Sequence, residues 1–237
     1  MLRVWLTLIA WAASILLMPL FADSQRPVIL LYSASANGIL RACYCPNSPW
    51  GGLAKRAWII DQIRSTVGAD NVLLLDSGDL FPAESDTAVI PPLLHLYEGM
   101  RYDAAAIGDQ ELMNGPAQWL ALQPRLPWLS SGYRLQARPP KIATSYLAKP
   151  WMFKTVAEIR VGILSVVGPE AFRFSSAKTQ DLGMTDPIAM ARGFLKANAG
   201  NMDLFVVLSH IGKSMFKIFH TGGHGYGNRL DTTWPRL

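Results

Sequence analysis

Cysteine is scarce in this chain: Cys43 and Cys45 are its only two cysteines among 237 residues. Two thiols cannot complete a tetrahedral zinc site, and the Cys-x-x-Cys-His pattern of haem attachment is absent. A disulfide between residues two positions apart would close a small strained ring, which would make it reducible. We therefore expect two ordinary thiols or one surface disulfide in a loop, with a redox or soft-metal role as the alternative.

Charge is scarce as well, because only 16% of the residues are charged and the formal net charge is +5. Lys and Arg are scattered and form no long block, so the sequence lacks a nucleic-acid signature and has only a mild bias toward anionic ligands. Half of the residues are hydrophobic, which favours one well-buried globular domain over disorder. The sequence contains no internal repeat and no low-complexity region.

One long apolar run does occur, at residues 1–22, and it begins with a positive charge at Arg3. This pattern is typical of a secretory signal peptide. Cleavage after Ala22 is poorly specified because Leu20, rather than a small residue, occupies the −3 position. The run is nearly long enough to span a bilayer, so an uncleaved membrane anchor is the alternative. In both cases we expect the rest of the chain to be exported, for example to the periplasm.

Beyond this segment, apolar strands alternate with helical patterns. The predicted strands are residues 28–32, 72–75, 104–107, 128–130, 161–167 and 204–208, and the predicted helices are residues 52–67, 92–99, 116–122 and 187–198. Residues 139–158 are predicted as a loop with an outer strand. This alternation predicts a layered α/β domain with parallel strands inside.

The most informative stretch is residues 71–81, where a buried apolar run ends in Asp76, a glycine turn and a second carboxylate, Asp79. Ligands bind at the carboxyl ends of strands in α/β sheets, and Gly78 allows a sharp turn there. Asp79 is therefore suited to bind a divalent cation. The alternative is that Asp79 only caps the next helix.

Five segments, residues 27–38, 51–64, 71–81, 102–111 and 203–212, together resemble the catalytic domain of the periplasmic 5′-nucleotidases, within the calcineurin-like metallophosphoesterases. The resemblance implies a sandwich of two mixed β-sheets flanked by helices. It also implies a signal peptide or anchor at 1–22, a metallophosphoesterase-like domain at 23–212 and an atypical tail at 213–237. The resemblance ends before the separate substrate-binding domain of the nucleotidases, and we expect this chain to lack that domain.

The family binds two metal ions, and the resemblance assigns part of that ligand set to this chain. Asp79 matches the carboxylate shared by both ions, and His210 matches a later histidine ligand, although a lone histidine at a strand end can also be an ordinary polar residue. Asp109 stands where the family has an asparagine ligand and can still bind metal. His224 lies in a segment similar to the family's final Gly-His-x-His, with Tyr226 in place of the second histidine.

Other family positions are lost. Ser35 and Asn37 replace the Asp and His of the first motif, and Gln110 replaces the histidine that the family uses as a proton donor. Glu111 is interpreted as a helix-start carboxylate. Gly51 and Gly52 are expected to bind phosphate oxygens at the start of the first helix.

The ligands that remain imply at most one divalent ion, of the Zn, Mn, Fe or Ca type. We therefore expect an exported phosphoesterase-like domain with weak or lost activity on a phosphate-containing small molecule. The alternatives are a non-catalytic binding or assembly subunit with an envelope protein partner, membrane-associated through residues 1–22, and a redox or metal-binding role at Cys43 and Cys45. Fold alone does not decide among them.

Overall fold

The structure is a computed structural model that describes residues 27–42, 51–83, 87–122, 125–136, 145–174 and 182–211. Its helices are α1 (Leu53–Val67), α2 (Ile90–Met100), α3 (Pro116–Leu122) and α4 (Pro187–Asn198). Its strands are β1 (Ile29–Ser33), β2 (Val72–Asp76), β3 (Ala104–Ala106), β4 (Trp128–Leu129), β5 (Tyr133–Leu135), β6 (Ser145–Tyr146), β7 (Trp151–Val156), β8 (Ile159–Val167), β9 (Leu182–Met184) and β10 (Leu204–His210). Every helix and strand predicted from the sequence is present, with ends that differ by at most two residues.

The strands form two main sheets that pack face to face. The first has the order β1-β2-β3-β4 and is parallel throughout, and the second has the order β10-β8-β7, with one parallel and one antiparallel pair. Apolar side chains from both sheets share one core, which includes Leu73 and Leu75 from β2 and Val161 and Ile163 from β8. The predicted α/β sandwich is therefore confirmed, with the difference that only the second of these sheets is mixed.

The outer faces of the sheets are covered by helices. The helices α1, α2 and α3 contribute to one core with the first sheet, while α4 packs on the second sheet through Ala191 and Phe194. The start of α4 follows its sequence signals closely, because Asp186 accepts hydrogen bonds from the N–H groups of Ile188 and Ala189 and Pro187 opens the helix.

A small third sheet was not predicted. It has the antiparallel order β6-β5-β9, and its strands are only two or three residues long. Strands this short carry too few residues for an alternating hydrophobic pattern, so the sequence gives little sign of them.

The buried face of α1 includes a charged residue. Leu53 and Ile60 are buried, and so is Arg64. The guanidinium of Arg64 donates to the carbonyl oxygens of Met100 (2.7 Å) and Arg101 (2.9 Å) at the end of α2. Those carbonyls have no partner within their own helix, so a buried arginine satisfies them.

No helix within the described ranges combines the length and the apolar character needed to cross a bilayer. Residues 1–22 and residues 213–237 lie outside the described ranges, so the predicted division of the chain stays a prediction.

Candidate metal centre

Three of the predicted site residues meet where strands of the two main sheets end. Asp79 follows β2, Asp109 follows β3, and His210 is the last residue of β10. One ligand atom from each residue lies within 4.8 Å of the other two. The Nε2 atom of His210 is 3.1 Å from Oδ1 of Asp109 and 3.4 Å from Oδ1 of Asp79. The sandwich thus brings together residues that are up to 131 positions apart in sequence.

Two glycines allow the two carboxylate loops to approach each other. Gly78 has a φ of +100°, and a Cβ atom there would lie 2.8 Å from the backbone nitrogen of Gly108. A Cβ atom on Gly108 would lie 2.4 Å from Oδ1 of Asp79. Asp79 itself has a φ of +59°, a left-handed conformation that asparagine and aspartate tolerate better than most residues. The local backbone is therefore built around the close contact of these loops.

Asp79 does not cap the next helix along the chain, which begins at Ile90. Its Oδ1 atom instead accepts a hydrogen bond of 3.2 Å from the backbone N–H of Gln110, in the loop after β3. Of the two interpretations of Asp79 from the sequence, the structure thus favours the one in which it forms part of a site.

His210 is held in one orientation by a backbone carbonyl. Its Nδ1 atom lies 3.1 Å from the carbonyl oxygen of Ser77, which can only accept, so Nδ1 carries the proton. Nε2 therefore faces Asp79 and Asp109. A histidine held in this way presents a fixed nitrogen to a metal, as is common for metal-ligating histidines.

The site has an excess of negative charge. Burial lowers the pKa of His210, but the hydrogen bond to Asp109 and the charge of Asp79 outweigh it and raise that pKa to about 9. Burial raises the pKa of Asp79, and the charge of His210 only partly opposes this. Without a metal, the imidazolium of His210 would neutralise part of the carboxylate charge. A divalent cation would do so more completely.

Ser35 and Asn37, which replace the Asp and His of the family's first motif, have neutral side chains. Ser35 and Asn37 both have left-handed backbones, with φ of +48° and +51°. Their N–H groups donate to the carbonyl oxygens of Gly78 (2.9 Å) and Asp79 (2.8 Å), which places this loop against the site. The side-chain amide of Gln110 donates to Oδ1 of Asn37 at 2.8 Å, so the side chains of these two replaced residues are hydrogen-bonded to each other.

Glu111 does more than the sequence indicated. It lies in the first turn of the short 3₁₀ helix Gln110–Leu112, as a helix-start carboxylate would. However, its side chain is buried and also binds the loop after β2, where it accepts hydrogen bonds from the N–H groups of Asp79, Leu80 and Phe81. The interpretation of Glu111 as a helix-start carboxylate is therefore confirmed in position but is incomplete. Burial raises its pKa to about 7, and the charge of Asp79 acts in the same direction.

A buried polar network beside the site was missed entirely. Asp76 is fully buried at the end of β2 and accepts hydrogen bonds from the hydroxyl of Ser33 (2.5 Å) and the N–H of Gly78 (2.8 Å). The hydroxyl of Ser33 also contacts that of Tyr102 at 2.9 Å, and Tyr102 lies 3.4 Å from the guanidinium of Arg56. Burial raises the pKa of Asp76 to about 6, although both of its hydrogen bonds oppose the change. The sequence signal was a carboxylate at the end of a fully apolar strand.

Gly51 and Gly52 lie in a different place from the three converging residues. They line a cavity of about 340 Å³ that also includes Lys55, Arg56 and Tyr102. Neither carboxylate of the site nor His210 lines this cavity. Phosphate binding by the two glycines therefore stays a prediction.

The remaining predicted site residues, Cys43, Cys45 and His224, lie outside the described ranges. Their predicted roles are untested by the structure.

The donors present fit one cation. Two carboxylates and an imidazole with a fixed tautomer are ligands that Zn, Mn and Fe accept, and the carboxylates also suit Ca. A Cβ atom at Gly108 would occupy the space that the carboxylate of Asp79 now fills. The glycine therefore leaves room for this ligand. The hydroxyl of Ser35 and the amides of Asn37 and Gln110 are weak ligands for a second transition metal.

Comparison with known proteins supports the resemblance read from the motifs. No family model matches the sequence. The human 5′-nucleotidase is 28% identical over 173 residues, which cover 71% of this chain and 30% of that protein. The crystal structure of a 5′-nucleotidase precursor from Thermus thermophilus matches with a TM-score of 0.66 and 25% identity, over 79% of this chain and 38% of that one.

The fold also matches a calcineurin-like phosphoesterase from Bacillus subtilis, with a TM-score of 0.56 and 18% identity over 77% of this chain and 61% of that one. Over most of its length the chain thus resembles the metallophosphoesterase domain of the 5′-nucleotidases in sequence and in fold. It spans less than a third of the length of the curated relatives that it matches.

Proposed function

We propose that this chain is an exported metallophosphoesterase-like domain that binds one divalent cation and hydrolyses phosphoesters weakly or not at all. The observation that carries the proposal is the contrast within one site. Asp79, Asp109 and His210 converge within 4.8 Å, while Asn37 and Gln110, at positions where the family has histidines, are neutral amides that bind each other.

The bound cation would polarise a phosphoryl oxygen and stabilise the negative charge of a phosphate. Asp79 and Asp109 would hold it from the two loops after β2 and β3, and His210 would hold it from β10. The amide of Gln110 has no proton that it can transfer to a leaving group, and it is engaged by Asn37. General acid–base assistance is typically worth about 10²–10⁴ in rate, so its loss alone predicts very slow turnover.

The test is metal binding and hydrolysis by the purified chain. Elemental analysis after equilibration with Mn²⁺ or Zn²⁺ should give about one ion per chain, and Asp79→Ala should abolish it. Hydrolysis of a nucleoside monophosphate and of a phosphodiester should be very weak or absent. Robust metal-dependent turnover that Asp79→Ala abolishes would contradict the proposed loss of activity.

Restoring the family's residues gives a positive test. The combined substitutions Ser35→Asp, Asn37→His, Asp109→Asn and Gln110→His should raise hydrolysis. Ser35 and Asn37 have left-handed φ values, which Asp and His tolerate better than most residues, so the backbone can accept both changes. Adding Asp79→Ala to the restored variant is the matched control, and it should remove any activity gained.

The same observation favours a second function, a binding or assembly subunit that has no catalytic role. The core strands retain their apolar packing, whereas the losses fall at Ser35, Asn37 and Gln110. Absence of hydrolysis in both the natural and the restored protein, together with stable metal binding, would favour this second function. The partner would be a phosphate-containing small molecule or an envelope protein.

Two further parts of the proposal concern export and phosphate binding. Mass spectrometry of the native protein should detect a chain that begins near Asp23, while an intact Met1 on membrane-bound protein would favour an anchor.

For phosphate, the positive charges of Lys55 and Arg56 beside Gly51 and Gly52 support binding of an anion in their cavity. Arg56→Gln should then weaken inhibition by inorganic phosphate in the restored variant.

A further inference from the structure

Glu111 joins the two loops that carry the carboxylates of the candidate metal centre. Its Oε1 atom accepts from the N–H groups of Leu80 (2.7 Å) and Phe81 (3.1 Å). Its Oε2 atom accepts from the N–H groups of Asp79 (3.0 Å) and Gly108 (2.7 Å). The side chain is only 4% exposed, so water has little access to replace these contacts. One buried carboxylate thus satisfies four backbone donors from two separate loops.

These contacts act on the conformation of Asp79. Its φ of +59° is a left-handed backbone conformation, which is unfavourable for a non-glycine residue unless the surroundings hold it. Three consecutive N–H groups, from Asp79 to Phe81, point at the carboxylate of Glu111. The fourth donor, Gly108, directly precedes Asp109. The relative position of the two metal-binding carboxylates therefore depends on a side chain that is not itself one of the three converging ligands.

We propose that Glu111 is a positioning residue, which holds the Asp79 and Asp109 loops together so that both carboxylates and His210 can bind one divalent cation. This inference rests on the metal site of the proposed function. Groups that orient metal ligands typically change metal affinity by about 10–100-fold when they are mutated. Glu111→Gln is the sharpest perturbation, because the amide keeps the shape of the side chain but presents an NH₂ donor to backbone donors.

Asp103, which directly precedes β3, offers a matched control. Its Oδ2 atom accepts from the N–H of Leu74 in β2 at 2.8 Å, and Lys154 pairs with its other oxygen at 3.0 Å. Asp103→Asn therefore also replaces a carboxylate that binds a backbone N–H of the first sheet, but at the amino end of β3, whereas the metal ligand Asp109 follows its carboxyl end. Both variants should lose stability, whereas only Glu111→Gln should weaken the site.

The first measurement is the affinity for Mn²⁺, titrated on the natural chain and on both variants, with thermal unfolding recorded in parallel. We expect Glu111→Gln to weaken Mn²⁺ binding about 10–100-fold and Asp103→Asn to leave it within a factor of two. Equal Mn²⁺ affinities for Glu111→Gln and the natural protein would overturn the inference. If Glu111→Gln does not fold, Glu111→Asp replaces it, since its shorter carboxylate keeps the charge and should give an intermediate loss.

Amide hydrogen exchange in the absence of metal gives a second, independent measurement. Exchange at residues 79–81 and 108 should speed up at least tenfold in Glu111→Gln, with no such change in β8 or in Asp103→Asn. Unchanged exchange at residues 79–81 would overturn the positioning role. If the natural protein binds no Mn²⁺, the proposed metal site fails, and exchange still decides whether Glu111 holds the two loops.

Discussion

Asp76 provides a test of the electrostatics of the fold through the pH dependence of stability. This carboxyl is fully buried, and burial raises its pKa from 3.8 to about 6. A group with a higher pKa in the folded state binds its proton more tightly there, so its contribution favours the folded state at low pH. That contribution is fully present below about pH 4 and is lost as the pH rises through about 6.

The size of the effect follows from the shift of about two pKa units. At about 1.4 kcal/mol per unit, ionisation of Asp76 should lower the free energy of unfolding by about 3 kcal/mol between pH 4 and pH 7. In Asp76→Asn this loss disappears, because the amide stays neutral while its oxygen can still accept from the N–H of Gly78. Between pH 4 and pH 7, the free energy of unfolding of the variant should therefore rise by about 3 kcal/mol relative to that of the natural protein.

The assay is urea unfolding of both proteins at several pH values from 4 to 8, without added metal. Other titrating groups, including His210 and Glu111, are present in both proteins and largely cancel in the difference. Ser33→Ala serves as a second variant, because the Ser33 hydroxyl lowers the pKa of Asp76 and its removal should steepen the pH dependence. Parallel stability curves for the natural protein and Asp76→Asn would refute the reasoning.

Three further predictions concern the site, a helix cap and the core. Gly108→Ala should abolish Mn²⁺ binding in a titration while leaving far-ultraviolet circular dichroism unchanged, because the new Cβ atom would lie 2.4 Å from Oδ1 of Asp79. Binding of Mn²⁺ with natural affinity would show that the loops can move apart. Asp186→Ala should cost about 1 kcal/mol in urea unfolding through loss of the α4 cap, with Mn²⁺ affinity unchanged. Ile163→Ala, in the core between the sheets, should cost about 2–5 kcal/mol, and a cost below 1 kcal/mol would contradict the packing.

The sequence determined the main framework through its hydrophobic pattern. Strands such as β2 and β8 are mainly apolar runs buried by sheet packing, and runs of this kind can be recognised without tertiary information. The start of α4 was equally clear, because Asp186 and Pro187 stabilise a helix start through contacts only a few residues apart. Asp79 and His210 were recognisable because Asp79 follows an apolar strand and His210 ends one, each within a specific motif.

Tertiary structure alone decided the rest, since those features depend on residues that are distant in sequence. Arg64 is buried because it binds carbonyl groups at the end of α2 that have no partner within that helix. No residue near Arg64 in the sequence predicts that contact. Glu111 resembles an ordinary helix-start carboxylate until the fold places the N–H groups of residues 79–81 against it. Likewise, Asn37 and Gln110 are simple substitutions in sequence, and only the convergence of their loops makes them hydrogen-bond partners. Local patterns fix which elements form, whereas the environment of a buried polar group is set by the chain segments that fold around it.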